Sequence, residues 1–308
     1  MTYAGGASTC RVPTPVPRSD PLMSNPSHPL RPRAAAPAVL SVSLALFGCL
    51  VAADALAAQA PTTREMNLIG WQEFAEVVPS RIETVLIPVG TLEPHGVIPN
   101  GADNLAPEAM ARELASRLNA MIAPTLNYGV TGGLDAFPGT FSLSEETYVA
   151  LIRDILHGLA DNDFLNLVIL NGHGGPQTAI LEQVAEEVGR DRQVRTMVTN
   201  WWSATSDVVF EVFGENGGHA GNNETAYVQA IVPDHIHPDR YDPEMASARV
   251  PGVSPYPFPS SIVLYEAGQG HPTFDSAQAA AYYARVNEVM GDLIEETIRR
   301  WDLARLFR

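Results

Sequence analysis

Three features of this sequence predict an α/β fold, a three-layer α/β/α sandwich with a mainly parallel central sheet. Short apolar runs without polar alternation recur along the chain, helix-spaced runs lie between them, and glycine-rich polar loops follow several of the apolar runs. Thr84 to Val89 (TVLIPV) reads as a buried strand and Pro107 to Leu118 as a helix through Met110, Leu114 and Leu118. Met121 to Leu126 reads as a second strand. Ser142-Leu143-Ser144-Glu145 has the form of a capping box ahead of a helix reaching about Ala160. Leu167 to Leu170 and Val194 to Thr199 are further strands, with Pro176 suited to the first turn of the helix between them. Thr225 to Ile231 is helical, Ile262 to Tyr265 a late strand, and Ala277 to about Leu306 a long terminal helix. No internal repeat is visible.

The first 57 residues read differently. Residues 1–33 hold seven prolines and four arginines, and Ala34 to Ala53 then runs twenty residues without a charge. Ala55-Leu56-Ala57 fits a small-residue cleavage site, so residues 1–57 are expected to be an N-terminal extension and signal peptide, with residues 58–308 the folded body. Met23 is an alternative start. The expected location is the periplasm or outside the cell; an uncleaved membrane anchor and a lipoprotein, through Leu46-Phe47-Gly48-Cys49, are the alternatives.

Composition excludes several chemistries. With 45% hydrophobic and 18% charged residues the chain buries a real core. All 19 basic residues are arginine, so lysine Schiff-base and P-loop mechanisms are absent. The only cysteines, Cys10 and Cys49, precede the body, which excludes a thiol nucleophile or thiolate zinc site within it. Net charge is −16, and removing four Arg and two Asp with residues 1–57 leaves −18. Such a surface repels nucleic acid and anionic membranes, and no stable membrane partner is expected once the leader is cleaved. There is also no G-x-S-x-G, H-E-x-x-H or G-x-G-x-x-G motif in a supporting context.

Chemistry concentrates in three loops. These are Gly90-Thr91-Leu92-Glu93-Pro94-His95-Gly96, closing with Asp103; Asn171-Gly172-His173-Gly174-Gly175; and Gly217-Gly218-His219-Ala220-Gly221-Asn222-Asn223-Glu224. Taken singly, each reads as solvated acids and turn histidines. Together, imidazole and carboxylate suit zinc, manganese or iron, a carboxylate can bridge two ions, and flanking glycines let the side chains converge at the carboxyl ends of parallel strands.

The ordered set Glu93-Pro94-His95-Gly96, Asp103, Phe137-Pro138-Gly139-Thr140, Asn171-Gly172-His173-Gly174-Gly175, His219-Ala220-Gly221 with Glu224-Thr225, and Gly268-Gln269-Gly270-His271-Pro272 resembles the creatininase family of metal-dependent amidohydrolases. The resemblance implies a creatininase-like fold and two divalent ions per subunit, zinc first, manganese or iron as alternatives. It implies Glu93, Asp103 and His173 at one ion and His95 with Asp103 as bridge at the other. Glu224 is the candidate for a ligand that creatininase supplies two residues after the second-loop histidine, where this chain has Gly175. His219 is then the proton shuttle, with Glu224 also placed among the catalytic residues. Three departures stand out: His95 and Asp103 are eight apart, one fewer than expected; no tryptophan precedes His219; and His271 stands where an aspartate is usual.

The resulting expectation is a homo-oligomeric hydrolase that cleaves a non-peptide or cyclic C–N bond of a small amide other than creatinine with metal-activated water. Alternatives are hydrolysis of short peptides or formamides, and an exported metal- or ligand-binding protein of the same fold without turnover. Trp201, Trp202 and Thr131 are the candidate substrate-binding residues, though core packing suits the tryptophans equally. His157, His235, His237 and His271 read as structural.

Overall fold

The structure is a computed structural model that describes residues 60–307. The leader expected over residues 1–57, with Cys10 and Cys49, lies outside the described residues. No helix among the described residues is long and apolar enough to cross a membrane.

A short helix α1 (Trp71–Val77) precedes β1 (Thr84–Val89), α2 (Ala102–Leu114), β2 (Ala120–Ile122), α3 (Glu145–Asp161), β3 (Asn166–Asn171), α4 (Gly175–Arg192) and β4 (Arg195–Asn200). All four strands are parallel, in the order β2-β1-β3-β4, with Val85 opposite Met121 and Ile87 opposite Ile169. β1 and β3 are buried at every position, which is why their sequences are unbroken apolar runs rather than alternating ones. Successive side chains feed opposite faces. Val85 and Ile87 pack with Tyr148, Ile152, Leu181 and Val184 of α3 and α4, whereas Leu86 packs with Met110, Tyr227, Tyr282 and Met290 on the other side. The three layers expected from the sequence are therefore present.

After β4 come α5 (Trp201–Ala204), α6 (Ser206–Phe213), β5 (Gly218–His219), α7 (Asn222–Ile231), β6 (Ala246–Ala248), β7 (Ile262–Leu264) and α8 (Ser276–Leu303). The three late strands form a separate sheet, β5-β7-β6, antiparallel across β5·β7 and parallel across β6·β7. Only β7 carries a strand signal in the sequence, an unbroken run of large apolar residues, whereas β5 and β6 are short runs of small or polar residues.

Three local expectations are corrected. Ser144 alone caps α3, accepting from Thr147 N at 3.3 Å, so the position three residues into the helix is Thr147 and not a glutamate. The second strand ends at Ile122, and Leu126 makes only an isolated bridge to Val89. The first long helix starts at Ala102, five residues before the expected Pro107, which lies inside it. Pro107 has no N–H to give the Asp103 carbonyl. That carbonyl is instead pressed onto the ends of β1 and β3: a Cβ at Gly90 would lie 2.2 Å from it, and one at Gly172 only 1.9 Å. The two glycines thus allow the first turn of α2, and Asp103 with it, to sit directly over the strand ends.

Candidate metal centre

The parallel strands deliver two of the three polar loops to one edge. Glu93 and His95 follow β1, and His173 follows β3. Asp103 is the second residue of α2 rather than the end of a loop, and His219 and Glu224 arrive from β5 and the first turn of α7. These six side chains converge. Glu93, His95, Asp103 and His173 are buried, with Glu93 wholly inaccessible, and His219 and Glu224 retain some exposure.

Asp103 sits at the middle. Its Oδ1 is 2.9 Å from His95 Nε2 and its Oδ2 is 3.0 Å from His173 Nδ1. Glu93 Oε1 lies 3.1 Å from His173 Nδ1 and 3.5 Å from His219 Nδ1. Glu224 Oε2 lies 3.7 Å from His95 Nε2 and 3.9 Å from His219 Nδ1, and accepts the Ala220 N–H at 2.6 Å. Backbone carbonyls hold the outer ring nitrogens: His95 Nδ1 donates to Glu93 O at 3.1 Å, and His219 Nε2 donates to Pro94 O at 2.8 Å. Each of those two imidazoles therefore turns its remaining nitrogen toward the carboxylates, the arrangement seen where histidine binds a metal.

The electrostatics are those of a crowded, desolvated cluster. Burial pulls His95 down, but the charge and hydrogen bond of Asp103, helped by Glu224 and Glu93, override it and hold the imidazole at about 10. His173 is likewise raised well above its ordinary value by Glu93 and Asp103, despite burial. Burial would raise Asp103, yet His95 and His173 hold it well below the carboxylate range. Burial pushes Glu93 up, and pushes Glu224 up to about 7 against the pull of His95. Burial and the neighbouring His95 cation push His219 down to about 3. Without an ion, two histidines neutralise the acids.

The donor set fits a divalent metal. Glu93, Asp103 and His173 offer ligand atoms within 4.8 Å of one another, and so do Glu93, His95 and His219. Glu93 Oε2 and His173 Nε2 are buried without a hydrogen-bond partner. Such orphaned atoms are costly unless something else satisfies them. The second group contains His219, expected from the sequence to carry a proton, so its geometry suits a ligand as well.

A cavity of about 270 Å³ opens onto the cluster. Thr131 lines it with a buried hydroxyl that has no partner, and Trp202 lines it too. Trp201 does not. It is buried against Tyr227, ring centroids 4.8 Å apart, in the core beneath α8, because consecutive residues at the start of a helix diverge by about 100° and only one can face the cavity. Gly175 has φ +61° and open space where a side chain would point. The other histidines among the described residues stand apart: His157 pairs with Asp191, His271 Nδ1 meets the Tyr241 hydroxyl, and His235 and His237 are exposed.

Sequence reasoning overlooks the braces. Asn171 donates to His173 O at 2.6 Å and to Asn200 Oδ1 at 2.7 Å, accepts from His173 N, and is itself held by Gln177. Asn223 accepts from Gly218 N at 2.9 Å and fixes the third loop. Asparagine within a glycine-rich loop is the available signal, since its amide bonds backbone groups a few residues away. The wall residues Arg249, Phe258, Val263 and Tyr265 carry no such signal.

Comparison with known proteins agrees with the geometry. A creatinine amidohydrolase of Pseudomonas putida is 30% identical over 188 residues, 55% of this chain and 72% of that one. A mycofactocin precursor peptide peptidase of Mycobacterium ulcerans is 30% identical over 176 residues, 53% of this chain, which spans 64% of the peptidase. Among solved structures, a glutamate-to-glutamine mutant creatininase of Zn–Zn type superposes with a TM-score of 0.66 at 24% identity, covering 77% of this chain and 98% of that one. A manganese creatininase gives 0.65 at 24% identity, covering 77% and 99%. The creatininase family pattern, described as creatinine amidohydrolase, matches residues 67–294, which takes in the parallel sheet and every residue of the cluster, and the chain therefore belongs to the creatininase family.

Proposed function

We propose that the protein is a metal-dependent hydrolase of a C–N bond in a small amide, not creatinine itself. The observation that carries this reading is the division of Asp103, one oxygen toward His95 and the other toward His173, beside Glu93, whose Oε1 faces His173 and whose buried Oε2 has no partner. Glu93, Asp103 and His173 would hold one divalent ion, and His95, Asp103 and Glu224 a second, with zinc favoured and manganese or iron as alternatives. When bound, the ions supply Lewis acidity that polarises a carbonyl and brings the pKa of water toward about 7.

The chain's own groups do the rest. The Glu93 and Pro94 carbonyls keep His95 and His219 in fixed tautomers. One water adds to the amide carbon and gives its proton to the His219–Glu224 pair, whose nearest atoms are 3.9 Å apart; the C–N bond breaks, and that proton passes to the departing nitrogen. Thr131 and Trp202 are positioned to orient the amide. Gly218, and not an aromatic residue, precedes His219, which argues against a flat ring stacked there. The peptidase relatives favour short peptides as the next class to try. The leader expected over residues 1–57 would put this reaction outside the cytoplasm, in a homo-oligomer free of nucleic acid.

The test is a screen of lactams, simple amides, formamides and short peptides with protein reconstituted with zinc or manganese. Hydrolysis of one class, lost on chelation and restored by metal, supports the reading. A sustained blank with metal bound favours a binding protein without turnover, for which Gly175 is the motivating observation.

A further inference from the structure

We infer that Arg249 is a specificity residue that recognises a carboxylate on the substrate, and that the apolar groove beside it takes the substrate's apolar group. The inference rests on the hydrolase reading above and names the kind of amide the site accepts: a short, peptide-like compound with a free carboxylate.

Arg249 directly follows β6, and its backbone N–H is bonded to Leu264 O at 2.9 Å, so its position against β7 is fixed. Its side chain is exposed and makes no ion pair or side-chain hydrogen bond among the described residues. Nine other arginines are ion-paired with the chain's abundant acids, whereas Arg249 keeps its guanidinium free beside the cavity. Arg249 lines the 270 Å³ cavity over the cluster and also an adjoining groove of about 1070 Å³, and among the described residues it is the only arginine lining either.

The groove is a built wall. Tyr256 Oη donates to Asp135 Oδ1 at 3.0 Å, Phe258 N donates to Gly133 O at 3.1 Å, and a Cβ on Gly133 would lie 2.6 Å from the Phe258 ring. Val250, Val253, Phe258 and Val263 make its surface apolar. The other charged side chains lining the two are the would-be metal ligands of the smaller cavity and Glu266 of the groove, so Arg249 is the guanidinium there able to pair with a substrate carboxylate. The unpartnered, buried hydroxyl of Thr131 gives the amide itself a polar contact in the same cavity. A guanidinium presents a planar fork that matches a carboxylate. With the body at −18, a polyanion is repelled, whereas a zwitterion with one carboxylate is not.

The test uses the metal-loaded protein with Gly-Leu and Gly-Gly-Leu, each beside its C-terminal amide. The free carboxylates are expected to win by about tenfold in kcat/KM, mainly through KM, as suits a charge-assisted contact that water still reaches. Arg249→Gln should bring that ratio to about one, while Arg249→Lys keeps part of it. A wild-type preference for the amides, or a ratio unchanged in Arg249→Gln, overturns the inference. If none of the four is hydrolysed, the peptide-hydrolase reading fails by itself. Titration calorimetry with the same four compounds then decides on Arg249: a tenfold gap in Kd that disappears in Arg249→Gln upholds it, and equal Kd values or no binding overturn it.

Discussion

β1 and β3 are six residues long, buried throughout, and end in the loops that carry Glu93, His95 and His173. β6 and β7 have three residues each and carry Arg249 and Tyr265 at their ends. Both regions face one cavity, but only the first supplies the groups that would bind metal. The contrast teaches that a long, doubly covered strand fixes atoms to within the tolerance that metal ligands need, while a small sheet held by loop contacts suffices for a wall that sorts substrates.

The strongest way to break this division is Asp103→Ala. It removes the oxygens that face both histidines, so metal retention should fall by about 10²-fold or more, activity should vanish, and the loss should exceed that of His95→Ala, which serves one ion. The metal-free variant should also lose about 3–5 kcal/mol, since two buried imidazoles lose the carboxylate that bonds them both. Elemental analysis and denaturant unfolding measure both, and equal metal losses for the two variants would count against the bridge.

His219→Ala sharpens the role of the third loop. As a proton carrier it should lower kcat by about 10² to 10⁴ while leaving metal content unchanged. Metal lost together with activity would reassign His219 as a ligand, as the geometry of Glu93, His95 and His219 also permits.

Metal uptake should be steeply pH-dependent. His95 is held at about 10 and His173 is also raised, so at neutral pH the metal-free protein carries both protons and must expel them to bind an ion. Calorimetry in buffers of different ionisation enthalpy should report release of about two protons at pH 7, with affinity climbing about tenfold per pH unit for each proton released. The linkage to folding runs the other way. A raised His95 stabilises the metal-free protein fully below its unfolded value near 6.5, and that contribution fades as pH rises through about 10. The metal-free protein should therefore lose stability over the range where metal binds best, and no proton release would remove the basis for this expectation.

The smallest effects separate glycines that touch the site from those that do not. Gly172→Ala puts a methyl against the Asp103 carbonyl and should cost about 1–3 kcal/mol and weaken metal retention. Gly158→Ala, within α3 and with nothing near its Cβ, should stabilise by about 0.5–1 kcal/mol and leave the metal unaffected. Thermal unfolding of the two variants, with and without zinc, checks the pair.

The parallel sheet was readable because β1 and β3 leave continuous apolar runs bounded by loops, and the cluster because histidines and acids flanked by glycine are poor packing choices. What the sequence hid follows from length and direction. β5 and β6 are too short for any period. Pro107 disguised the true start of α2, and so Asp103 read as a loop residue. Trp201 and Trp202 are adjacent in sequence but face different surroundings, and nothing local tells which one reaches the cavity. Arg249 was one arginine among 19, and only the fold shows that no acid meets it.

The tight seat of the Asp103 carbonyl between Gly90 and Gly172 bears on ancestry as well as on chemistry. Neither glycine offers an atom to an ion, yet a descendant that replaced either would have to lift the start of α2 and draw its aspartate out of line. Lineages that retain the aspartate's present place are therefore bound to retain both glycines, and these two positions should diagnose an intact centre as well as any ligand does.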